Sequence, residues 1–452
     1  MGGSRAVTPP LSVWNVLHLP GRLAGRTHAD MTSRLLSLWW LAAVSVCLAA
    51  CGDDTGAAPD DDDDDDEPKC SVSISPSDDD QSELQGALID AESGDTVCLE
   101  KGRFKLTRQL TLSAERVTVR GEEGTILDFS EQTAGANGFE ISADHVTLES
   151  VRIENPKGDG VRATEVDSPT IRNVQVVWTG GPSTGNGGYG IYPVLSKNVL
   201  VEDCFASGAS DTGIYVGQSE DIVIRNNEVT ENVAGIEIEN STDAEVYGNH
   251  AHGNTGGILV FNLPGLMVKD GKRARVYDNQ IEDNNLANFA QAGNIVADLP
   301  AGSGVFILAS DDNEVYDNVI KNHDSAGITL VSWYVTLRDE EGMKDADYDW
   351  FPERNSFHDN EITESGDMPQ GRAVLIASVV GETTLADIVW DGIVDTSKLE
   401  EGEELGTGAP SLAPESLRNC FRNNEGASFI NLDLEHDGED KTTDIEPYAC
   451  SR

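Results

Sequence analysis

Gly190-Ile-Tyr-Pro-Val194, Gly213-Ile-Tyr-Val-Gly217, Gly235-Ile-Glu-Ile-Glu239 and Gly257-Ile-Leu-Val-Phe261 decide the fold. Their glycines are spaced by 23, 22 and 22 residues (213−190, 235−213, 257−235). A period in the low twenties marks a solenoid, whose turns contact only their neighbours. The same glycine recurs before this stretch at Gly138 and Gly160, and after it at Gly304 and Gly327.

Between most of these glycines lies a second short apolar segment that ends in asparagine. Examples are Ile224-Arg-Asn-Asn227, Val246-Tyr-Gly-Asn249, Val276-Tyr-Asp-Asn279, Val315-Tyr-Asp-Asn318, Phe357-His-Asp-Asn360 and Phe421-Arg-Asn-Asn424. In earlier turns Val174 and Cys204 stand in the asparagine's place. Val229 and Ile281, two residues past the asparagine, start a third strand, and Asn232, Asn254 and Asn284 form a second asparagine row. Such strands alternate inward apolar and outward polar residues and pair in parallel, turn upon turn. Gly and Asn are expected at the corners because both tolerate left-handed backbone. Stacked Asn side chains can also hydrogen-bond along the ladder. A doubly wound sheet would need helical periods between its strands, and propeller blades would need about twice this period.

The 452 residues carry a formal charge of −49. That charge argues against nucleic acid and anionic lipid surfaces as partners. It suits a solvated extracytoplasmic surface and a divalent cation such as calcium. Residues 1–30 have no assignable pattern. Arg34, the apolar Leu35 to Leu48 and Leu48-Ala49-Ala50-Cys51 read as a signal peptide over 31–50. The tetrapeptide resembles the lipobox of bacterial lipoproteins. This resemblance implies cleavage before Cys51, lipid on its thiol and a membrane anchor, with localisation at the outer membrane or cell surface. Residues 51–69 form a tether. Its acidic run from Asp60 to Glu67 repels itself and has nothing apolar to bury. Residues 70–452 are the solenoid domain, and a monomer is expected.

Of seven cysteines, Cys47 leaves with the signal and Cys51 carries lipid. Export permits disulfides. The expected pairs are Cys70–Cys98 at the N-terminal end and Cys420–Cys450 at the C-terminal end, with Cys204 a buried thiol. Residues Gln81 to Ala91 read as an amphipathic helix with Leu84, Ala87, Leu88 and Ala91 on one face, and with Asp78 to Asp80 as N-caps. A helix there would cover the open end of the core.

The helix, Gly94-Asp-Thr-Val-Cys-Leu99 and Gly102-Arg-Phe104 resemble the N-terminal cap and first turn of right-handed parallel β-helix proteins. Together with the repeats, the chain resembles the right-handed parallel β-helix repeat family over roughly residues 90–450. The expected fold is all-β, a right-handed parallel β-helix of about ten turns. That superfamily includes polyuronide lyases, glycoside hydrolases, mannuronate epimerases and NosD-like accessory proteins of copper enzymes. A fold hosting so many activities selects none of them.

Three stretches break the period. Gly180 to Tyr189 is a Gly-rich excursion. Residues 262–303 read as a double-length turn, and residues 332–356 carry Trp333, Tyr334, Tyr348, Trp350 and Phe351. Insertions in a solenoid map to loops and cluster on the binding face. After Ala373-Val-Leu-Ile-Ala377 the period blurs.

Three groups are candidates for chemistry. Alternation sets Arg162, Tyr192, Tyr215, Glu237, Leu259, Phe306 and Thr329 in one outward column, with Glu239, Phe261 and Leu308 beside it. Tyr192 and Tyr215 next to Glu237 and Glu239 suit a sugar site, because aromatic faces pack on pyranose rings and carboxylates serve as acid and base. The competing expectation is that the two long insertions cover this face. His250 and His252 share an outward face, with Glu228 aligned beside His250 and Glu282 beside His252. Two imidazoles and a carboxylate suit zinc or copper; two solvated histidines are the alternative. Lys269, Lys272, Arg273 and Arg275 cluster in an acidic chain, and Lys269 or Arg273 could neutralise a uronate carboxylate. The Asp-Pro-His-Asp motif of mannuronate epimerases is absent. The functional expectation is binding or lyase/epimerase-type processing of an acidic polysaccharide. Its alternative is a non-catalytic scaffold or accessory lipoprotein that holds a metal.

Overall fold

The computed structural model describes residues 69–399 and 413–450. The expected signal peptide over 31–50, the expected lipid-bearing Cys51 and the acidic run lie outside the described residues. Among those described, no helix is long and apolar enough to cross a membrane.

Three parallel sheets of twelve, ten and eleven strands run the length of the domain. Sheet I extends from Val72–Ile74 to Cys420–Arg422, sheet II from Gly102–Lys105 to Glu361–Thr363, and sheet III from Arg108–Leu112 to Phe429–Asn431. Consecutive turns pair in register, as in Ile224 with Val246, Val229 with Ala251, and Ile236 with Ile258. The inward residues of all three sheets, such as Val246, Ala251 and Ile258, merge in one continuous core.

The four-residue segment Val276-Tyr277-Asp278-Asn279 shows how sequence becomes corner. Val276 is fully buried, and Tyr277 points outward to stack on Tyr247 and Tyr316 at 4.9 Å each. Asp278 takes the left-handed backbone, with φ 53°. Asn279 turns inward, donates to Val246 O at 2.9 Å and joins an asparagine ladder. That ladder runs Asn227–Asn249–Asn279–Asn318–Asn360–Asn424 with amide links of 2.9–3.0 Å. Cys204 begins it, its N–H bonding to Asn227 Oδ1 at 2.9 Å. A second ladder, Asn232–Asn254–Asn284, ends on His323, and a third links Asn313, Asn355 and Asn419. In the first two ladders the left-handed role expected of the asparagines thus belongs to the residue before each one.

The repeat glycines do not supply left-handed backbone either. A Cβ at Gly235 would lie 2.6 Å from Gly257 O, and one at Gly257 would lie 2.7 Å from Gly304 O. These glycines let adjacent turns of sheet III close up.

Helix α1 (Asp80–Asp90) packs Leu84 and Leu88 onto the first turns. Its N-cap Asp79 makes no side-chain cap; buried Asp80 instead accepts from the N–H groups of Ser77 and Lys105, both at 2.6 Å. Both expected disulfides are present and Cys204 is buried. Burial pushes the Cys204 thiol up to about 12, which makes it unreactive.

Residues 262–303 form the double-length turn that the sequence suggests, because the strands Gly256–Phe261 and Ser303–Leu308 pair directly. Both corners of this turn are enlarged around the strands Arg275–Tyr277 and Gln280–Glu282. The apolar run at 373–377, after which the period blurs, lies in helix α3 (Arg372–Val379; α2 is Asp339–Met343). It follows the corner rather than a sheet, so it leaves Val374 and Leu375 exposed.

Candidate functional site

The outward face of sheet III divides into two halves. In the C-terminal half, Leu259, Phe261, Phe306 and Leu308 are buried against Val296 and Leu299 of one insertion and Trp333 and Tyr348 of the other. These residues are core, and Trp333 and Tyr348 of the insertion help to cover them. Beside Phe261 and Phe306 lies an apolar cavity of ≈ 70 Å³, next to helix α3.

The other half carries the polar group. The strands Tyr189–Val194, Thr212–Gly217 and Ala234–Glu239 set Tyr192 opposite Arg162, Tyr215 opposite Glu237, and Gly217 opposite Glu239. The rings of Tyr189, Tyr192 and Tyr215 gather at centroid distances of 4.3–4.9 Å. A Cβ at Gly217 would lie 2.0 Å from the Tyr215 hydroxyl, so the glycine lets that phenol lie across the strand. The hydroxyl donates to Glu239 Oε1 at 2.6 Å. Thr212 donates to Glu237 Oε2 at 2.7 Å, and Glu237 Oε1 has no partner. Asn294, on the loop before Ser303, donates to Asp211 at 2.9 Å. Arg162 is paired with Asp159 at 3.2 Å, and its guanidinium sits 4.9 Å over the Tyr192 ring.

Burial governs the electrostatics. It pushes the carboxyl of Glu239 up to about 7 and that of Asp211 up to about 6. Burial, with the charges of Glu239 and Asp211, raises Glu237 well above the usual range. The phenols of Tyr192 and Tyr215 are raised as well. The group therefore holds exchangeable protons near neutral pH, where acid–base chemistry is most efficient. Tyr215, Glu237 and Glu239 are 3%, 1% and 8% exposed, whereas Tyr189, Tyr192 and Arg162 remain half-buried. Tyr189, Tyr192 and Arg162 form the partly exposed side of the group.

This arrangement redistributes the expected roles. Tyr192, Tyr215, Glu237 and Glu239 do come together, but Glu237 lies beneath the others. Lys269 is held by Asp345, and Arg273 by Asp243 at 2.7 Å. The enlarged corner aims both at local carboxylates, so neither joins the group; Arg162 is its cation. Tyr189, Asp159 and Asp211 were missed. They immediately or nearly precede the repeat glycines at 190, 160 and 213, a position the outward alternation leaves out of account.

On sheet II the histidines face outward as expected. Register sets His250 opposite Glu228, and His252 opposite Glu282. The side chains cross diagonally: His250 meets Glu282 at 3.0 Å and His252 meets Glu228 at 3.2 Å. The two rings stack at 4.1 Å. The ligand atoms of Glu228, His250 and His252 lie within 4.8 Å of one another, so Glu228 rather than Glu282 completes a three-residue set.

Residues 117–264 match the family described as "Right handed beta helix region". No curated protein is similar to the chain in sequence. Among solved structures, the chain is similar to A-modules of two Azotobacter vinelandii mannuronan C-5 epimerases, both at 14% identity. One covers 73% of this chain and 86% of that one at a TM-score of 0.47; the other covers 77% and 91% at 0.48. A periplasmic alginate epimerase is similar at 12% identity, 66% and 80% coverage and a TM-score of 0.42. At that distance nothing about activity passes from those proteins to this chain. The family match over residues 117–264 and the three parallel sheets agree: the chain folds as a right-handed parallel β-helix.

Proposed function

We propose that the protein binds and processes an acidic polysaccharide at the Arg162–Tyr192–Tyr215–Glu239 face of sheet III. The observation that carries this reading is the 2.6 Å hydrogen bond from Tyr215 to Glu239, in a group whose carboxyl titrates near neutral pH. The partly open Tyr189 and Tyr192 rings offer a surface for a pyranose ring. Arg162 would neutralise a uronate carboxylate and so acidify the adjacent C5–H. Glu239 then accepts the C5 proton. In elimination the electron pair forms the C4=C5 bond, the C4–O bond breaks, and Tyr215 protonates the leaving oxygen. In epimerisation the C4–O bond stays intact and a solvent proton is delivered to C5 from the opposite face. Glu237 and Asp211 act through Glu239 as positioning residues.

The test is incubation of the full chain with polymannuronate, polyguluronate and polygalacturonate. New ultraviolet absorbance reports the C4–C5 double bond, and solvent deuterium at C5 reports epimerisation. One of the two signals is expected, and it should be lost in Tyr215→Phe. Neither signal on any of these polymers would sink the catalytic reading.

A second reading, of an accessory protein that holds a metal, rests on the Glu228–His250–His252 set. Its two imidazoles and one carboxylate suit zinc or copper. Calorimetric titration of Zn²⁺ into the full chain is expected to show one site that His250→Ala weakens at least tenfold. Equal binding by the variant removes this reading.

A further inference from the structure

A separate polar pocket lies where the 332–355 insertion folds back onto the corner after the strand Ser303–Leu308. It has a volume of ≈ 280 Å³, and Asn262, Asp270, Asp311, Asp349 and Lys398 are on its wall. One carboxylate oxygen from each of Asp311, Asp349 and Glu353 lies within 4.8 Å of the others. Acidic residues cluster without a ligand on many surfaces, but two buried atoms here lack partners. Glu353 is 1% exposed; one oxygen meets Lys398 at 2.6 Å and Arg354 at 3.3 Å, and the other meets nothing. Asn262 is 3% exposed; it donates to Gly271 O at 2.9 Å, and its Oδ1 is unpartnered on the pocket wall. A buried oxygen without a donor is costly unless something electropositive meets it.

The local charges do not balance. Asp270, Asp311, Asp312, Asp349 and Glu353 face Lys272, Arg354 and Lys398. Arg354 is divided among Asp311, Asp312 and Glu353, and Lys398 between Asp349 and Glu353. Burial still pushes Asp311 up to about 6 and Glu353 up to about 7, with the neighbouring carboxylates adding to the rise.

We propose that Asp311, Asp349 and Glu353, with Asn262 Oδ1 on the same pocket wall, bind a hard divalent cation of the calcium class. All four donors are oxygen, with no imidazole or thiolate, which selects calcium or magnesium over zinc and copper. The pocket leaves room for the waters that complete a calcium shell. Irregular placement on two loops favours calcium over magnesium, which demands a near-octahedral site. The Lys398 ammonium contacts two of the same carboxylates, so lysine and cation compete. Bound cation would tie the 332–355 insertion to the solenoid.

The experiment is calorimetric Ca²⁺ titration of the full chain, with thermal unfolding in Ca²⁺, Mg²⁺ and chelator. Saturable binding is expected, with a higher unfolding midpoint in Ca²⁺ than in Mg²⁺. Asp349→Asn keeps the side chain's shape and should weaken binding at least tenfold. Lys398→Gln removes the competitor and should tighten binding severalfold. Circular dichroism of each variant checks the fold. Absence of binding, binding unchanged in Asp349→Asn (a sign that the acidic run at 60–67 is the ligand), or weaker binding in Lys398→Gln would each overturn the proposal.

Discussion

Asn249→Ala is expected to lower the free energy of unfolding by about 4 kcal/mol. Its amide donates to Ile224 O and Asn279 Oδ1, both at 3.0 Å. Its Oδ1 accepts from the backbone and the side chain of Asn227 at 3.0 and 2.9 Å. Truncation removes four hydrogen bonds and strands buried groups on both neighbouring turns. At roughly 1 kcal/mol per bond, with an added penalty for each unpaired buried group, the total sits in the exceptional range for one substitution. Asn424→Ala is the control. Asn424 is the last rung, half-buried, and donates to Phe357 O at 3.0 Å with no rung after it. Its loss should be about half as large, since fewer groups are left unpaired. Urea unfolding of both variants decides the matter. Equal losses, or a loss under about 1 kcal/mol for Asn249→Ala, would show that the ladder is ornamental rather than structural.

The repeat was readable because its cause is local and periodic. Gly235 and Gly257 recur since every turn of sheet III meets the same steric limit, and Asn249 and Asn279 recur since every corner leaves the same backbone groups unpaired. The reason for each residue was less readable. Glycine and asparagine both tolerate left-handed backbone, and only the three-dimensional stack shows that Asp278 takes that conformation while Asn279 makes the ladder. The disulfides followed from chain ends that a solenoid must pin. The site was half legible. Tyr192, Tyr215, Glu237 and Glu239 share a face because strands alternate, which any sequence reveals. What lies over that face depends on loops without a period. The paths of 262–274 and 283–302 send Lys269 to Asp345, Arg273 to Asp243 and Asn294 to Asp211, contacts that span 76, 30 and 83 residues. The Asp311–Asp349–Glu353 pocket was invisible for the same reason, being assembled from one corner and the far end of an insertion.

Glu239→Gln is expected to abolish turnover of the polymer, by at least about 100-fold, because a positioned general base contributes that much. It should also change how stability depends on pH, and this second readout does not require the substrate to be known. Glu239 has an ordinary carboxyl in the unfolded chain, near 4.5, and is pushed up to about 7 by burial in the folded one. A carboxyl raised on folding contributes stability in its protonated form. That contribution is fully present below about 4.5 and is lost as pH rises through about 7. The loss is on the order of 3 kcal/mol at most, since Asp211 and Glu237 compete for the same protons. Glutamine carries no such proton, so the variant should gain stability relative to wild type between pH 5 and 8. Other carboxyls act with the opposite sign: Asp243, held low by Arg273, and Asp345, held low by Lys269, stabilise the fold above their unfolded values and cease to do so in acid. They are common to both proteins and cancel in the difference. Unfolding midpoints of wild type and variant, measured across that pH range, should therefore diverge with the variant rising. In wild type, activity should climb through the same interval, because Glu239 works as a base only when ionised. Parallel midpoints would mean that Glu239 does not titrate there. Diverging midpoints with a flat activity profile would leave the proton on Glu239 but take the base role from it.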